Sequence, residues 1–166
     1  MAVRRLNHAV LFVRDVRRSV AFYHQVFGFT VEHEIPGIAA FLRAQGSDND
    51  HDLGLFALGP EAPGPQRDRV GLHHLAWEVG TLGELVETSE LLDARGALTG
   101  STDFLVAKSL HGVDPDGHEF EVLWRTPRSD WPAAEENQKP LPLDLRSAID
   151  RWGPDLRTGA AAGTAT

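Results

Sequence analysis

His73-His74-Leu75-Ala76-Trp77-Glu78-Val79 is an apolar run of strand length entered by a histidine, and nearly the same phrase stands near the start as Asn7-His8-Ala9-Val10-Leu11-Phe12-Val13. In both, the second-position histidine lies five residues ahead of a valine. Self-similarity of this kind signals a duplicated module. Copy one runs from about Leu6 to Leu58 and copy two from about Gly71 to Arg125. The segment between them, residues 59–70, contains Gly59-Pro60-Glu61-Ala62-Pro63-Gly64-Pro65 and reads as a linker.

Each copy reads as strand, helix and three strands. In copy one the strand Leu6 to Val13 leads to Asp15, a good N-cap. Val16, Val20, Tyr23 and Phe27 then recur at helical spacing, and Gly28 supplies a stop. Phe29 to Glu34, Ile38 to Arg43 and Leu53 to Leu58 follow as strands. In copy two, Thr81 and Glu84 have capping-box spacing. Leu82, Leu85, Ser89 and Leu92 form the expected buried stripe, and Gly96 closes the helix. Strands are expected near Leu98 to Thr102, Ala107 to Gly112 and His118 to Trp124, with Asp114-Pro115-Asp116-Gly117 as the tight turn before the last.

Strand alternation assigns faces. His8 shares a face with Val10 and Phe12, His74 with Ala76, and Glu121 with Glu119 and Leu123. Phe120, Val122 and Trp124 turn the other way, toward a helix. The opening strands are apolar on both faces, as expected of strands with a helix on one side and a packed or ligand-filled interior on the other. Two histidines and one carboxylate on three strands are a ligand set for a divalent metal that leaves coordination positions open. His8, His74 and Glu121 are therefore the candidate metal ligands. His73 is expected to point away from His74. The cluster Arg14, Arg17, Arg18 is expected to be a solvated helix start, and the Asp-Pro-Asp-Gly turn to set the register of Glu121.

The chain of 166 residues carries a formal charge of −8, 42% hydrophobic residues, eight histidines and no cysteine. The acidic balance disfavours nucleic acid and anionic membranes as partners. With no thiolate available, any metal must sit on nitrogen and oxygen. The absence of cysteine fits a cytoplasmic protein, and no leader-type or membrane-spanning run is read. After residue 126 the chain becomes proline-rich and polar. A short helix is expected at Leu143 to Trp152, anchored by Leu145 and Ile149, with a disordered tail from Thr158 to Thr166.

Two such modules, each opened by a histidine, with Asp-Pro-Asp-Gly ahead of a last-strand glutamate, resemble the vicinal oxygen chelate superfamily. This group includes glyoxalase I, type I extradiol dioxygenases, fosfomycin-resistance proteins and bleomycin-binding proteins. The resemblance covers about Leu6 to Arg125 and implies an α+β fold of two tandem βαβββ modules, a curved mixed sheet around a metal-containing cavity, and a homodimer. It leans to the catechol 2,3-dioxygenase side, whose ligand pattern maps onto His8, His74 and Glu121. Gly54 stands where glyoxalase I-like sites add an acidic ligand, which disfavours such a site. His51 resembles the acid-base histidine of the dioxygenases. Close relatives show Asp-His and then Ser-Leu-Tyr, whereas this chain has Asp103-Phe104 and Ser109-Leu110-His111. His111 is thus a second acid-base or substrate-orienting candidate.

Three functions follow as expectations. The first is an extradiol-type dioxygenase using Fe(II), or else Mn(II), on a catecholic substrate and O2, whereas Zn(II) or Ni(II) would suit the Lewis-acid chemistry of the second. The second is a redox-neutral isomerase or lyase of glyoxalase kind. The third is a binding protein of bleomycin-resistance kind without chemistry.

Overall fold

The computed structural model describes residues 2–133 and 139–160. Its elements run β1 (Ala9–Val13), α1 (Val16–Phe27), β2 (Thr30–Ile35), β3 (Ala39–Arg43), β4 (Leu53–Ala57), β5 (Leu75–Glu78), α2 (Leu82–Asp93), β6 (Leu98–Asp103), β7 (Ala107–Val113), β8 (Glu119–Arg125) and α3 (Leu145–Trp152). The strands form two four-stranded mixed sheets of identical topology, β1-β4-β3-β2 and β5-β8-β7-β6. In each, the opening strand runs parallel to the last and the rest is antiparallel. This is the α+β duplication expected, one sheet and one covering helix per module.

The chain divides into two compact units. Among the described residues, one comprises those up to Gln66 together with Asp114–Gly117, and the other Arg67–Val113 with those from His118 onward. The C-terminal extension thus belongs to the second unit.

In the first unit, Asp15 caps α1 by accepting from the Arg18 amide at 3.0 Å, and Gly28 closes it with φ 69°. The buried stripe is Val16, Ser19, Phe22, Tyr23 and Val26. It is turned relative to the expected one, since Val20 and Phe27 are only half-buried. Leu11 and Val13 of β1, Ala40 and Leu42 of β3, and Leu53 and Leu55 of β4 complete the core. The opposite face of β1 differs from expectation: Val10 is 49% and Phe12 62% exposed.

The arginine cluster also departs from expectation. Arg14 and Arg18 both bind Asp116 Oδ1, at 2.9 and 2.7 Å. The Arg14 amide donates to Oδ2 at 3.2 Å, as does Ser19 Oγ at 3.4 Å. Tyr23 donates to Asp114 Oδ2 at 3.2 Å, and Arg18 also reaches the Pro115 carbonyl. Burial, with the Asp114 carboxylate beside it, pushes the Tyr23 hydroxyl well above its ordinary pKa. The turn is therefore the buried anionic centre of an arginine clamp. Only Arg17 keeps the solvated role.

In the second unit the capping box forms as expected, Thr81 Oγ1 accepting from the Glu84 amide and Glu84 from the Thr81 amide. Thr88 replaces Ser89 in the buried stripe, its hydroxyl satisfied by the Glu84 carbonyl at 2.7 Å. β8 alternates as expected, with Phe120, Val122 and Trp124 buried. Trp124 Nε1 donates to the Leu156 carbonyl and its ring meets Trp152 of α3 at 5.5 Å. The buried residue of α3 is Ala148, with Leu145 and Ile149 half-buried beside it. Thr158 and Gly159 are paired to Gly80, Glu78 and Arg125, so the expected tail is ordered that far; residues 161–166 lie outside the described residues.

Gly112 of β7 marks a close approach. A β-carbon there would stand 2.5 Å from Phe120 Cζ and 2.8 Å from the Ala97 carbonyl oxygen. That carbonyl accepts from the Val113 amide and cannot withdraw freely. Gly112→Ala is expected to destabilise by about 1–3 kcal/mol, as overpacked cores do, read as a lowered melting temperature.

Candidate metal and acid-base site

The residue just ahead of β5 and one residue of β8 are the two brought closest to a shared ligand role. Ala76 pairs with Glu121, which sets the residue ahead of β5 beside the glutamate. His74 Nε2 lies 3.4 Å from Glu121 Oε2, with side chains 34% and 13% exposed. Direct charge-assisted hydrogen bonds of this kind are shorter, about 2.7–2.9 Å. Two donors sharing one divalent ion at about 2.0–2.2 Å each stand roughly 3.0–3.5 Å apart. The pair therefore fits a metal as two of its ligands.

The strand reading placed the histidines within strands, and here the structure corrects it. β1 begins at Ala9 and β5 at Leu75, so His8 and His74 stand just ahead of them. Alternation does not govern residues outside the ladder. His73 consequently turns toward His74 rather than away, with the two Nδ1 atoms 2.6 Å apart. One of the two must carry the proton. With His74 Nδ1 so engaged, its Nε2 is the atom left to donate to Glu121 or, unprotonated, to ligate a metal.

His8 lies in the first unit. Its Nδ1 meets Asn7 Oδ1 at 2.8 Å, and its ring centroid is 4.5 Å from that of His51. The loop before β4 makes this neighbourhood. Asp52 gathers the Ala44 amide, Ser47 Oγ and Asn49 Nδ2 within 2.7–2.8 Å, while Asn49 Nδ2 also donates to the Asn7 carbonyl. His51 is thereby fixed against Phe41, edge-on at 5.1 Å, with its side chain 17% exposed. Asp50 Oδ2 lies 2.8 Å from His51 Nδ1, and this bond holds the Asp50 carboxyl below the usual carboxylate range. A carboxylate only accepts, so Nδ1 donates and Nε2 is the basic nitrogen. Asp50 is a functional candidate that sequence reading missed, although its adjacency to His51 was a visible signal.

His111 pairs across the ladder with Glu121 on one side and Gly100 on the other. Its ring turns toward β6, where Nε2 meets Thr102 Oγ1 at 3.1 Å and Phe104 lies edge-on at 6.2 Å. Glu119 is engaged by Arg67 at 2.7 Å. Ser109, on the same face as His111, is fully buried, and its Oγ has no hydrogen-bond partner among the described residues. Such a group costs about 1–3 kcal/mol. Among the described residues, no three His, Cys, Asp or Glu side chains stand together as a metal-holding group. The structure thus brings His74 to Glu121 and His8 to His51, as two pairs in two units.

Comparison with known proteins agrees with this architecture. The chain is 27% identical over 157 residues to catechol-2,3-dioxygenase of Bacillus subtilis (strain 168), covering 92% of this chain and 54% of that protein. It is 24% identical to metapyrocatechase 2 of Cupriavidus necator, covering 45% of it. The chain thus spans about half the length of these two dioxygenases. With metallothiol transferase FosB of Lysinibacillus sphaericus (strain C3-41) it shares 32% identity over 132 residues, 73% of this chain and 82% of that one. Among solved structures, a glyoxalase/dioxygenase from Nostoc punctiforme superposes with a TM-score of 0.60 at 21% identity, over 74% of this chain and 92% of that chain. The fosfomycin resistance protein FosX of Listeria monocytogenes, solved with Mn(II) and sulfate, does so at 0.57 and 18%, over 78% and 98%. The family model of the Glyoxalase/Bleomycin resistance protein/Dioxygenase superfamily matches residues 5–122, and the chain belongs to that superfamily.

Proposed function

We propose that this chain is a divalent-metal-dependent enzyme of extradiol-dioxygenase type, acting on a catecholic or related vicinal-oxygen molecule with O2. The observation that carries the proposal is the His74–Glu121 pair, a nitrogen and a carboxylate oxygen at the spacing of two ligands to one ion. His8 is the third ligand on this reading, from its match to His74 in the repeated phrase and from the superfamily pattern. Fe(II) is the metal that suits two histidines, one carboxylate and open positions. When bound, it would supply a Lewis-acid centre for both substrate oxygens and a site for O2. A homodimer in the cytoplasm completes the proposal.

The chain's own residues do the rest. Asp50 holds the His51 ring in the tautomer whose Nε2 accepts a proton. The acid-base step, removal of a substrate hydroxyl proton, falls to that nitrogen. Thr102 fixes the His111 ring, which serves to orient substrate beside Glu121.

The test is metal analysis of protein purified without oxygen, followed by O2 uptake with catechol. About one iron per chain and catechol-dependent O2 uptake are expected. A second reading, redox-neutral chemistry on the same site, draws support from the 32% identity to a metallothiol transferase and from Phe104, which cannot donate a hydrogen bond. Turnover that persists without O2 on Zn(II) or Ni(II) would select it. Tight binding of an aromatic ligand by protein that takes up no metal would select a binding protein instead.

A further inference from the structure

The β6–β7 and β7–β8 registers set Thr102, Ser109 and Leu123 in one cross-strand row and Gly100, His111 and Glu121 in the next. Alternation along β7 puts Ser109 on the His111 face. Ser109 is nonetheless wholly buried, and its Oγ is unpaired among the described residues. Its row neighbours explain why. Leu123 offers only carbon, and the Thr102 hydroxyl is turned to His111. A buried hydroxyl in this state is worse for stability than alanine, whose β-carbon β7 would hold equally well.

We propose that Ser109 is a substrate-binding residue, its hydroxyl reaching an oxygen of the bound molecule directly or through one retained water. The inference rests on the metal-site reading above. Diagonal neighbours in a sheet, as Ser109 and Glu121 are, stand roughly 7–8 Å apart. On this proposal Ser109, one row away from Glu121, meets a further oxygen, beyond the adjacent pair addressed to the metal ligands. The substrate class that follows is a vicinal dioxygen compound bearing a third oxygen function, such as a ring carboxylate or a further hydroxyl.

Two probes separate the outcomes, catechol and 3,4-dihydroxybenzoate, titrated calorimetrically into oxygen-free protein loaded with Mn(II). Wild type is expected to bind the carboxylated ring about ten-fold or more tightly, a difference of about 1.4 kcal/mol. Ser109→Ala should level the two affinities while catechol binding and Mn(II) content stay unchanged. Its metal-free melting temperature should be equal or higher. A lower melting temperature would mean that the hydroxyl is already partnered, and would overturn the proposal. So would equal affinities in wild type, binding of neither probe, or an equal loss of both in the variant. If wild type takes up no Mn(II), the metal reading fails separately, and the same comparison on metal-free protein still decides Ser109.

Discussion

Asp116→Ala is expected to lower stability by about 2–4 kcal/mol, read as a large drop in the denaturation midpoint with an unchanged slope. The carboxylate is 3% exposed and holds Arg14, Arg18, Ser19 and the Arg14 amide at once. Removing one partner of a buried ion pair commonly costs about 3–5 kcal/mol, because the other charge stays behind without compensation. Here the loss is discounted, since the Arg18 side chain is 49% and the Arg14 side chain 28% exposed, and both can turn partly to water. The Arg14 amide is left without its acceptor. Arg18→Gln should cost much less, because it leaves Arg14 on the same carboxylate oxygen. A double-mutant cycle of Arg14 and Asp116 should show coupling well above that of the exposed Arg5–Asp48 pair. An Asp116→Ala protein as stable as wild type would mean that the clamp holds nothing together.

That clamp also marks where sequence reading ends. The alternation of Glu119 to Trp124 predicted which side chains enter the core, because a half-buried strand writes its faces with period two. Asp15, Gly28, Thr81 and Glu84 were legible because capping is local chemistry. The Arg18–Asp116 bond spans 98 positions and leaves no local mark. β1 and β5 start later than residue type alone implies, for a related reason. Leu6 and His73 suit a strand by residue type, but a strand begins where a partner does, and the registers begin at Ala9↔Leu53 and Leu75↔Phe120. The direction expected of His73 is accordingly one that only ladder residues obey. Thr102 became visible as the partner of His111 only through the β6–β7 register, which shifts at the irregularity between Leu98 and Gly100.

Glu121→Ala and His74→Ala are each expected to abolish stoichiometric metal retention, by more than the roughly 10–100-fold that loss of an outer hydrogen-bond partner costs a metal site. Each would take away one of the two donors that stand 3.4 Å apart. Elemental analysis and Mn(II) titration read the loss directly, without appeal to turnover. Stability should respond in the opposite sense to affinity or hardly at all. Glu121 is 13% exposed at its side chain, and without a bound cation it is a carboxylate held largely out of water against His74, by a contact longer than a strong hydrogen bond. Metal-free Glu121→Ala should therefore melt no lower than metal-free wild type, while the metal-induced rise in melting temperature disappears. His8→Ala is the informative third member. Loss of metal comparable to that in His74→Ala would make His8 the remaining protein ligand. Full metal content with lost proton transfer would instead assign it to His51, 4.5 Å away. Thr102→Val should leave metal content intact and free the His111 ring, raising KM more than it lowers kcat. Retention of metal by all of these variants would remove the site from β5 and β8 altogether.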